Sequence, residues 1–402
     1  MTATGVVIIG AGQAAAQCVG SLRAQGYTAP ITVIGDEPEL PYHRPPLSKK
    51  YLLGELPAER LPIRKPAYYE RLGVQLQLGR RAIAIDRTAR RVQLEGGDSV
   101  AYEYLILATG GRARTLPAVP EQMAGVYSLR SRADADGLRR AVRPGQHLIL
   151  VGAGYVGLEV AATLRGLGCA VTVLEAAPRI LARVAAEPIS AQLLACHQAQ
   201  GSAIECEQSV HAVHGGARFE AVETTRGTVI PADGLIVGIG MVANDALAQA
   251  AGLHCDNGVR VDAQGRTDDP AIFAMGDVAC RPVNGVHQRI ESVDNAMATA
   301  QIVAAQITGA DAPTATPPWF WSDQFDHKLQ MVGLAPGSAA WVTRRDAESH
   351  RLSCFYVEDG QLRAAQCLNA AGDFQVAKRL IASARPVSPA QLADPNSALR
   401  DL

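Results

Sequence analysis

The first patterned stretch of the chain is a continuous apolar run, Val6-Val7-Ile8-Ile9, which stops at Gly10-Ala11-Gly12 and gives way to a helical segment reaching about Gly26. A second apolar run, Ile31 to Gly35, follows and ends on Asp36, with Glu37 beside it. This order (core strand, glycine turn, helix, strand) predicts a βαβ unit. The same order returns at residues 148–175. There Leu-Ile-Leu-Val leads into Gly152-Ala-Gly154-Tyr-Val-Gly157, then a helix to about Gly168, then Ala170 to Leu174 ending on Glu175. Tyr104 to Gly111 and Leu235 to Gly240 read as further buried strands ending in small-residue turns. Residues 267–279 predict a strand that runs into Gly276-Asp277 and then a helix.

Each glycine has a physical task. The first makes the tight turn out of the strand, and the second lets backbone N–H groups approach a pyrophosphate at a helix N-terminus. The third lets helix and strand pack closely, and in the first copy Ala15 stands there, adding only a methyl group. The acid ending each unit, Asp36 or Glu175, is placed to accept hydrogen bonds from an adenosine ribose. Two such sites imply two dinucleotides. Asp277, at a strand end facing a helix N-terminus, suits a polyol such as the ribitol of FAD, which leaves the second site for NAD.

Length and composition narrow the class. A chain of 402 residues predicts roughly two or three domains. A formal net charge of −1 gives no broad field for nucleic acid or an anionic membrane. No basic n-region or signal-like apolar run opens the chain, and Glu159 interrupts the longest apolar stretch, so a cytoplasmic protein without a spanning helix is expected. The eight cysteines contain no Cys-x-x-Cys, which speaks against a redox pair or a zinc ribbon. His211 and His214 have weak ligand spacing in a turn-like stretch, and no metal site is expected. All three tryptophans lie after residue 318, in a chain with only 5% aromatic residues, so Trp319-Phe320-Trp321 stands out.

With these motifs in hand, the chain resembles the FAD-dependent ferredoxin reductases of oxygenase systems, the group containing putidaredoxin reductase and the reductases of aromatic-ring dioxygenases. The resemblance covers essentially the whole chain. It rests on Gly10-x-Gly12, Arg44-Pro45-Pro46-Leu47-Ser48-Lys49, Ala108-Thr109-Gly110, Gly152-x-Gly154-x-x-Gly157-x-Glu159, Gly276-Asp277, Glu291-Ser292-Val293 and Pro318-Trp319-Phe320-Trp321-Ser322-Asp323-Gln324. It implies an α/β fold like that of glutathione reductase: two Rossmann-like dinucleotide-binding domains plus a C-terminal α+β domain. The FAD domain is expected at 1–112 and 238–312, the NAD domain at 113–237 and the C-terminal domain at 313–402.

The resemblance also implies roles. Gly10, Gly12, Ala14 and Ala15 would face the FAD pyrophosphate, Asp36 the adenosine ribose, and the Ala82 backbone the adenine. Lys49 and Arg130 would lie near the isoalloxazine and phosphates, Asp277 on the ribitol and Val293 against the flavin ring. Gly152, Gly154, Gly157 and Glu175 would take NAD. Glu159 would contact the nicotinamide carboxamide and pair with Lys49. Its place at the start of the NAD helix suggests stabilisation by the helix dipole. The partner implied is a [2Fe-2S] ferredoxin that supplies a P450 or ring-hydroxylating dioxygenase, docking near Arg64 and Trp321.

The expected activity is therefore NADH:ferredoxin reduction, the cofactor carrying the chemistry. Disulfide reductases share such a fold but need a cysteine beside the flavin, and residues 40–50 have none. An NADH oxidase or quinone reductase using a small acceptor is the alternative, against which the aromatic and cationic C-terminal signals argue. A flavin-dependent redox sensor would not need a paired Lys49 and Glu159.

Overall fold

The computed structural model describes residues 4–120, 123–335, 340–346 and 350–401. The chain divides into two compact units, one made of residues 1–43, 57–112 and 241–315, the other of 44–56, 113–240 and 316–402.

In the first unit a parallel sheet runs in the order Ile272–Ala274, Tyr104–Leu107, Val6–Ile9, Ile31–Ile34, Val74–Gln77. Its central strands are almost wholly apolar, Thr32 being the polar exception, because both faces are covered. Val6 and Ile8 point into a core with the helices Gln13–Ala24 and Val293–Thr308, which also pack on each other. Val7 and Ile9 point the other way, onto residues of an antiparallel meander, Ala82–Asp86, Arg91–Leu94 and Ser99–Ala101.

The second unit repeats this plan. Its parallel sheet runs Ser202–Cys206, Ala170–Glu175, His147–Val151, Gly234–Val237, Val126–Ser128. Helix Tyr155–Gly166 covers one face, and the meander Val210–Gly215, Phe219–Thr224 and Val229–Pro231 covers the other. His211 and His214 thus lie on a strand, not in a turn, and His214 pairs with Glu223.

The C-terminal part adds a five-stranded antiparallel sheet in the order Trp319–Gln324, His327–Gly333, Gln361–Leu368, Arg351–Glu358, Trp341–Asp346. Helix Ala371–Ser383 seals one of its faces. On the other face Leu329, Leu352, Tyr356 and Leu368 join Leu150, Leu158 and Leu164 in one apolar cluster, so this sheet shares a core with the second parallel sheet. The segment Arg44–Leu56, expected with the first 112 residues, folds in this unit. Leu52 enters the same cluster, the Tyr51 hydroxyl donates to Asp136 at 2.6 Å, and Thr163 donates to the Ser48 carbonyl at 2.6 Å.

Two further sequence expectations need correction. Residues beyond Gly276-Asp277 form a 3-10 turn, Gly276–Val278, followed by the strand Ala279–Val283, not a helix. Pro282 and a β-hairpin to Val286–Gln288 make that stretch extended. Glu159 lies in the second turn of its helix, which begins at Tyr155 and has no acid in its first turn. Its negative charge is therefore held by specific partners, since the effect of a helix end fades within one turn.

Candidate active site

The two glycine turns are built alike. Gly10 has φ +107°, and a Cβ there would lie 2.2 Å from the Ala108 carbonyl oxygen. Gly152 has φ +101°, and its Cβ would lie 2.5 Å from the Gly238 oxygen. Only glycine fits either position. Gly12 and Gly154 open their helices, and a Cβ on either would meet no atom within 4 Å. Neither helix start carries a side-chain cap or a first-turn acid. Each is a half-buried cradle of N–H donors shaped for a pyrophosphate, so the residues present fit one dinucleotide apiece.

The third motif position shows how closely each helix approaches its strand. A Cβ on Gly157 would sit 2.1 Å from the Gly152 oxygen, whereas Ala15 keeps its methyl in the core, 1% exposed. Ala14 is also buried and touches Gly276, whose own Cβ would lie 3.1 Å from the Ala14 methyl. The side chains of Ala14 and Ala15 thus face protein, and only their backbone can face a ligand. The same Gly276 contact brings Asp277 to the first glycine turn. Asp277 is half-buried, and Arg289 donates to its carbonyl at 2.9 Å while pairing with Glu291 at 2.8 Å. Val293, half-buried, begins the helix that Ser292 caps through the Asn295 amide.

The acids at the two strand ends differ. Gly10 N–H donates to Ile34 and Gly152 N–H to Leu174, so Gly35 and Glu175 hold the same place in their units. A Cβ on Gly35 would strike the Ala11 methyl at 2.6 Å, and the acid there is displaced to Asp36, which is exposed. Glu37 accepts from the Tyr42 hydroxyl at 2.5 Å. Arg80 N–H donates to the Gly35 carbonyl and Gly79 N–H to that of Glu37, which brings the half-buried Ala82 segment alongside. Glu175 instead accepts from Ala153 N–H at 2.6 Å and Ala177 N–H at 2.8 Å, pinning the second glycine turn. Arg183 is exposed, while the Arg179 guanidinium turns inward to donate to the Ala182 carbonyl at 3.0 Å.

Lys49 and Glu159 come together from 110 positions apart, within the second unit. Lys49 Nζ is 2.9 Å from Glu159 Oε1, and the two side chains are 18% and 5% exposed. The Ser48 hydroxyl donates to Oε2 at 2.5 Å, the Ser322 hydroxyl to Oε1 at 2.8 Å, and the Asp323 amide to Oε1 at 3.3 Å. A buried carboxylate needs such pairing. The stiff Arg44-Pro45-Pro46 segment supplies the lysine, and the Arg44 guanidinium donates to the Arg130 carbonyl at 2.9 Å. Arg130 is half-buried and precedes the Ser131 capping box. Sequence reasoning missed Ser48 and Ser322 as functional groups. The signal present was polar residues at alternate strand positions, Ser322 and Gln324, which the fold turns inward.

The chain's first 300 residues decide its kinship. Residues 4–300 match the family model of pyridine nucleotide-disulphide oxidoreductases, and residues 319–402 match a reductase C-terminal model. The chain belongs to the pyridine nucleotide-disulphide oxidoreductase family. It is 42% identical to the anthranilate 1,2-dioxygenase system ferredoxin--NAD(+) reductase component of Burkholderia cepacia, over 100% of this chain and 99% of that one. It is 37% identical to the putidaredoxin reductase of Pseudomonas putida, over 99% and 96%. The crystal structure of the covalent putidaredoxin reductase–putidaredoxin complex superposes with a TM-score of 0.96 at 37% identity, covering 99% of this chain and 97% of that one.

The cysteines of this chain show no sign of the family's disulphide chemistry. All eight cysteines are free thiols. Burial pushes every one of them up, Cys18 to about 12 and Cys255 and Cys354 to about 11. A redox cysteine needs the opposite shift.

The two aromatic and cationic features lie as follows. Arg64 is exposed, its guanidinium 5.3 Å over the Tyr68 ring, with Arg71 at 5.8 Å. Trp321 is half-buried and stacks on Trp319 at 5.4 Å, which in turn meets Phe374 and Lys378. Among the described residues no helix is long and apolar enough to cross a membrane.

Proposed function

We propose that the chain is a cytoplasmic NADH:ferredoxin reductase, using FAD to connect NADH with a [2Fe-2S] ferredoxin that supplies a P450 or ring-hydroxylating dioxygenase. The observation that carries this reading is a pair of like-built dinucleotide cradles in a chain whose eight cysteines are all free thiols. FAD, when bound, supplies acceptance of a hydride and release of single electrons. The domain limits proposed are 1–112 with 238–312 for FAD, 113–237 for NAD and 313–402 for the C-terminal part, except that residues 44–56 pack within the second compact unit.

The chain's own groups bind, orient and balance charge. The Gly10–Gly12 turn holds one pyrophosphate and Gly152–Gly154 the other, by helix-end amides. Asp277 takes the ribitol hydroxyls, and Val293 packs an apolar edge. Asp36 and the Ala82 backbone hold the adenosine end of FAD. Glu175 holds the adenosine ribose of NADH, and its carboxylate disfavours a 2′-phosphate. Glu159 receives the carboxamide, and Lys49, a cation, favours the negative charge that arrives with hydride. Arg130 adds a second cation. Arg64 and Trp321 contribute to ferredoxin contact, the first by steering an acidic partner and the second by apolar area.

Anaerobic titration tests the reading. The purified yellow protein should bleach with NADH and no added thiol, and cytochrome c reduction should depend on added [2Fe-2S] ferredoxin. A colourless protein, or bleaching only with thiol present, overturns it. Turnover with quinone or oxygen that ferredoxin does not raise favours the small-acceptor alternative.

A further inference from the structure

A chain of side-chain hydrogen bonds runs from Glu159 into the C-terminal strand and beyond it to a buried histidine. The Ser322 hydroxyl donates to Glu159 Oε1 at 2.8 Å, Gln324 Nε2 donates to Ser322 Oγ at 3.1 Å, and Gln324 Oε1 lies 3.0 Å from His197 Nε2. Ser322 and Gln324 are each 1% exposed and His197 is 0% exposed. They reach one another because strand residues two apart share a face. Phe320, on that same face, meets the Tyr155 ring at 4.7 Å and so presses the strand onto the helix that carries Glu159. Trp319 and Trp321 lie on the opposite face.

The direction of every bond follows from donor and acceptor inventory. Ser322 has a single proton, and the carboxylate, an ionised acceptor, takes it. Gln324 must then offer Ser322 its amino group, which leaves its carbonyl oxygen for His197. That oxygen can only accept, so His197 carries its proton on Nε2. Nδ1 of His197 is left without a partner in a buried setting, consistent with a bare nitrogen at that position. Burial lowers the His197 pKa and nearby His327 acts the same way, against the opposing Gln324 bond, so the imidazole stays neutral. A tautomer is thereby selected by a carboxylate on another helix.

We infer that Ser322, Gln324 and His197 are positioning residues for Glu159, a polarised chain through which the C-terminal strand and helix Glu187–Ala199 fix the direction of the carboxylate. Oε1 accepts from Lys49, Ser322 and Asp323, whereas Oε2 accepts from Ser48. With Oε1 saturated, it is Oε2 that remains able to accept from a further donor. The proposal rests on the reading that Glu159 meets the nicotinamide carboxamide, and it deepens that reading by making the C-terminal strand part of coenzyme orientation.

The test compares Ser322→Ala, Ser322→Thr, Gln324→Met and Glu159→Ala in the holoenzyme. The readouts are the stopped-flow limiting rate of flavin reduction by NADH, the NAD+ dissociation constant, and the His197 tautomer from nitrogen chemical shifts. Ser322→Ala should slow flavin reduction by about tenfold, as expected for one lost hydrogen bond to a charged group, and Gln324→Met, which removes a bond only to the Ser322 hydroxyl, by about threefold. Coenzyme affinity should change by no more than about twofold, because the binding cradle itself is untouched. Ser322→Thr should restore the rate, and Ser322→Ala should release His197 into mixed tautomers. If Glu159→Ala slows reduction while Ser322→Ala and Gln324→Met match wild type with an unchanged His197 tautomer, the positioning chain is refuted. If Glu159→Ala itself leaves reduction unchanged, the underlying role of Glu159 fails instead.

Discussion

Replacing Glu175 by alanine should have two separable effects, because its carboxylate has two neighbours of different kinds. The first is the glycine turn. Ala153 and Ala177 donate to the two carboxylate oxygens at 2.6 and 2.8 Å, and both amides lose an ionised acceptor in the variant. Hydrogen bonds to charged groups contribute about 1.5–3 kcal/mol each, but a half-exposed turn is partly rescued by water, so a net loss of about 1–3 kcal/mol is reasonable. That corresponds to roughly 5- to 150-fold weaker NADH binding. The second effect is on coenzyme choice. A unit charge pair about 5 Å apart is worth about 1–3 kcal/mol between the dielectric of water and that of a protein surface. Removing the carboxylate should therefore narrow the NADH preference over NADPH by about one order of magnitude or more. Glu175→Gln isolates the second effect, since one oxygen still accepts from the turn. Steady-state kcat/KM for both coenzymes, with NAD+ binding by calorimetry, separates them. Should the alanine variant bind NAD+ as the wild type does, the carboxylate does not pin the turn; should the wild type prefer NADPH, the ribose assignment is wrong.

Gly157→Ala should lower the thermal midpoint and weaken NAD+ binding, because a methyl 2.1 Å from the Gly152 oxygen forces helix from strand at about 1–3 kcal/mol or more. Ala15→Gly, at the matching place of the first motif, should cost less, and equal behaviour of the two in calorimetry would refute this account of the third position. Trp321→Ala should impair electron transfer to ferredoxin and spare flavin reduction by NADH in stopped flow; equal slowing of both half-reactions would assign the ring to packing. Arg64→Glu should lower the ferredoxin association rate and flatten its salt dependence, since screening reaches about 8 Å at physiological ionic strength; an unchanged salt profile would remove Arg64 from the contact.

The two glycine motifs were legible because they combine strong local rules: an apolar run, a backbone conformation open only to glycine, and a helix start. Val6–Ile9 and Gly152–Gly157 needed no knowledge of distant residues. The strand ending at Gly276-Asp277 was legible, but the element after it was misread, since Gly-Asp before apolar residues suits a helix start as well as a turn into the hairpin of residues 279–288. The pairing of Glu159 with Lys49, 110 positions away, was expected through the family resemblance, but the helix-end stabilisation was not found, and the hydroxyls of Ser48 and Ser322, 111 and 163 positions away, were missed. Chain patterning carries no signal for such pairings. Ser322 and Gln324 are polar residues at alternate strand positions, and the fold buries that face on a carboxylate. The placement of residues 44–56 with the second unit depended on the same kind of long-range contact.

The shared apolar cluster of the second unit limits how this enzyme can be rebuilt. Leu329, Leu352 and Leu368 complete the same core as Leu150, Leu158 and Leu164. The C-terminal part, residues 313–402, is thus no detachable adaptor. Deleting it would bare one flank of the coenzyme-binding half, and grafting it from a relative would transplant half of a jigsaw. Engineering a new electron-acceptor preference is better done by exchanging surface side chains on the existing strands, or by moving the whole second unit, residues 44–56 included, as one piece.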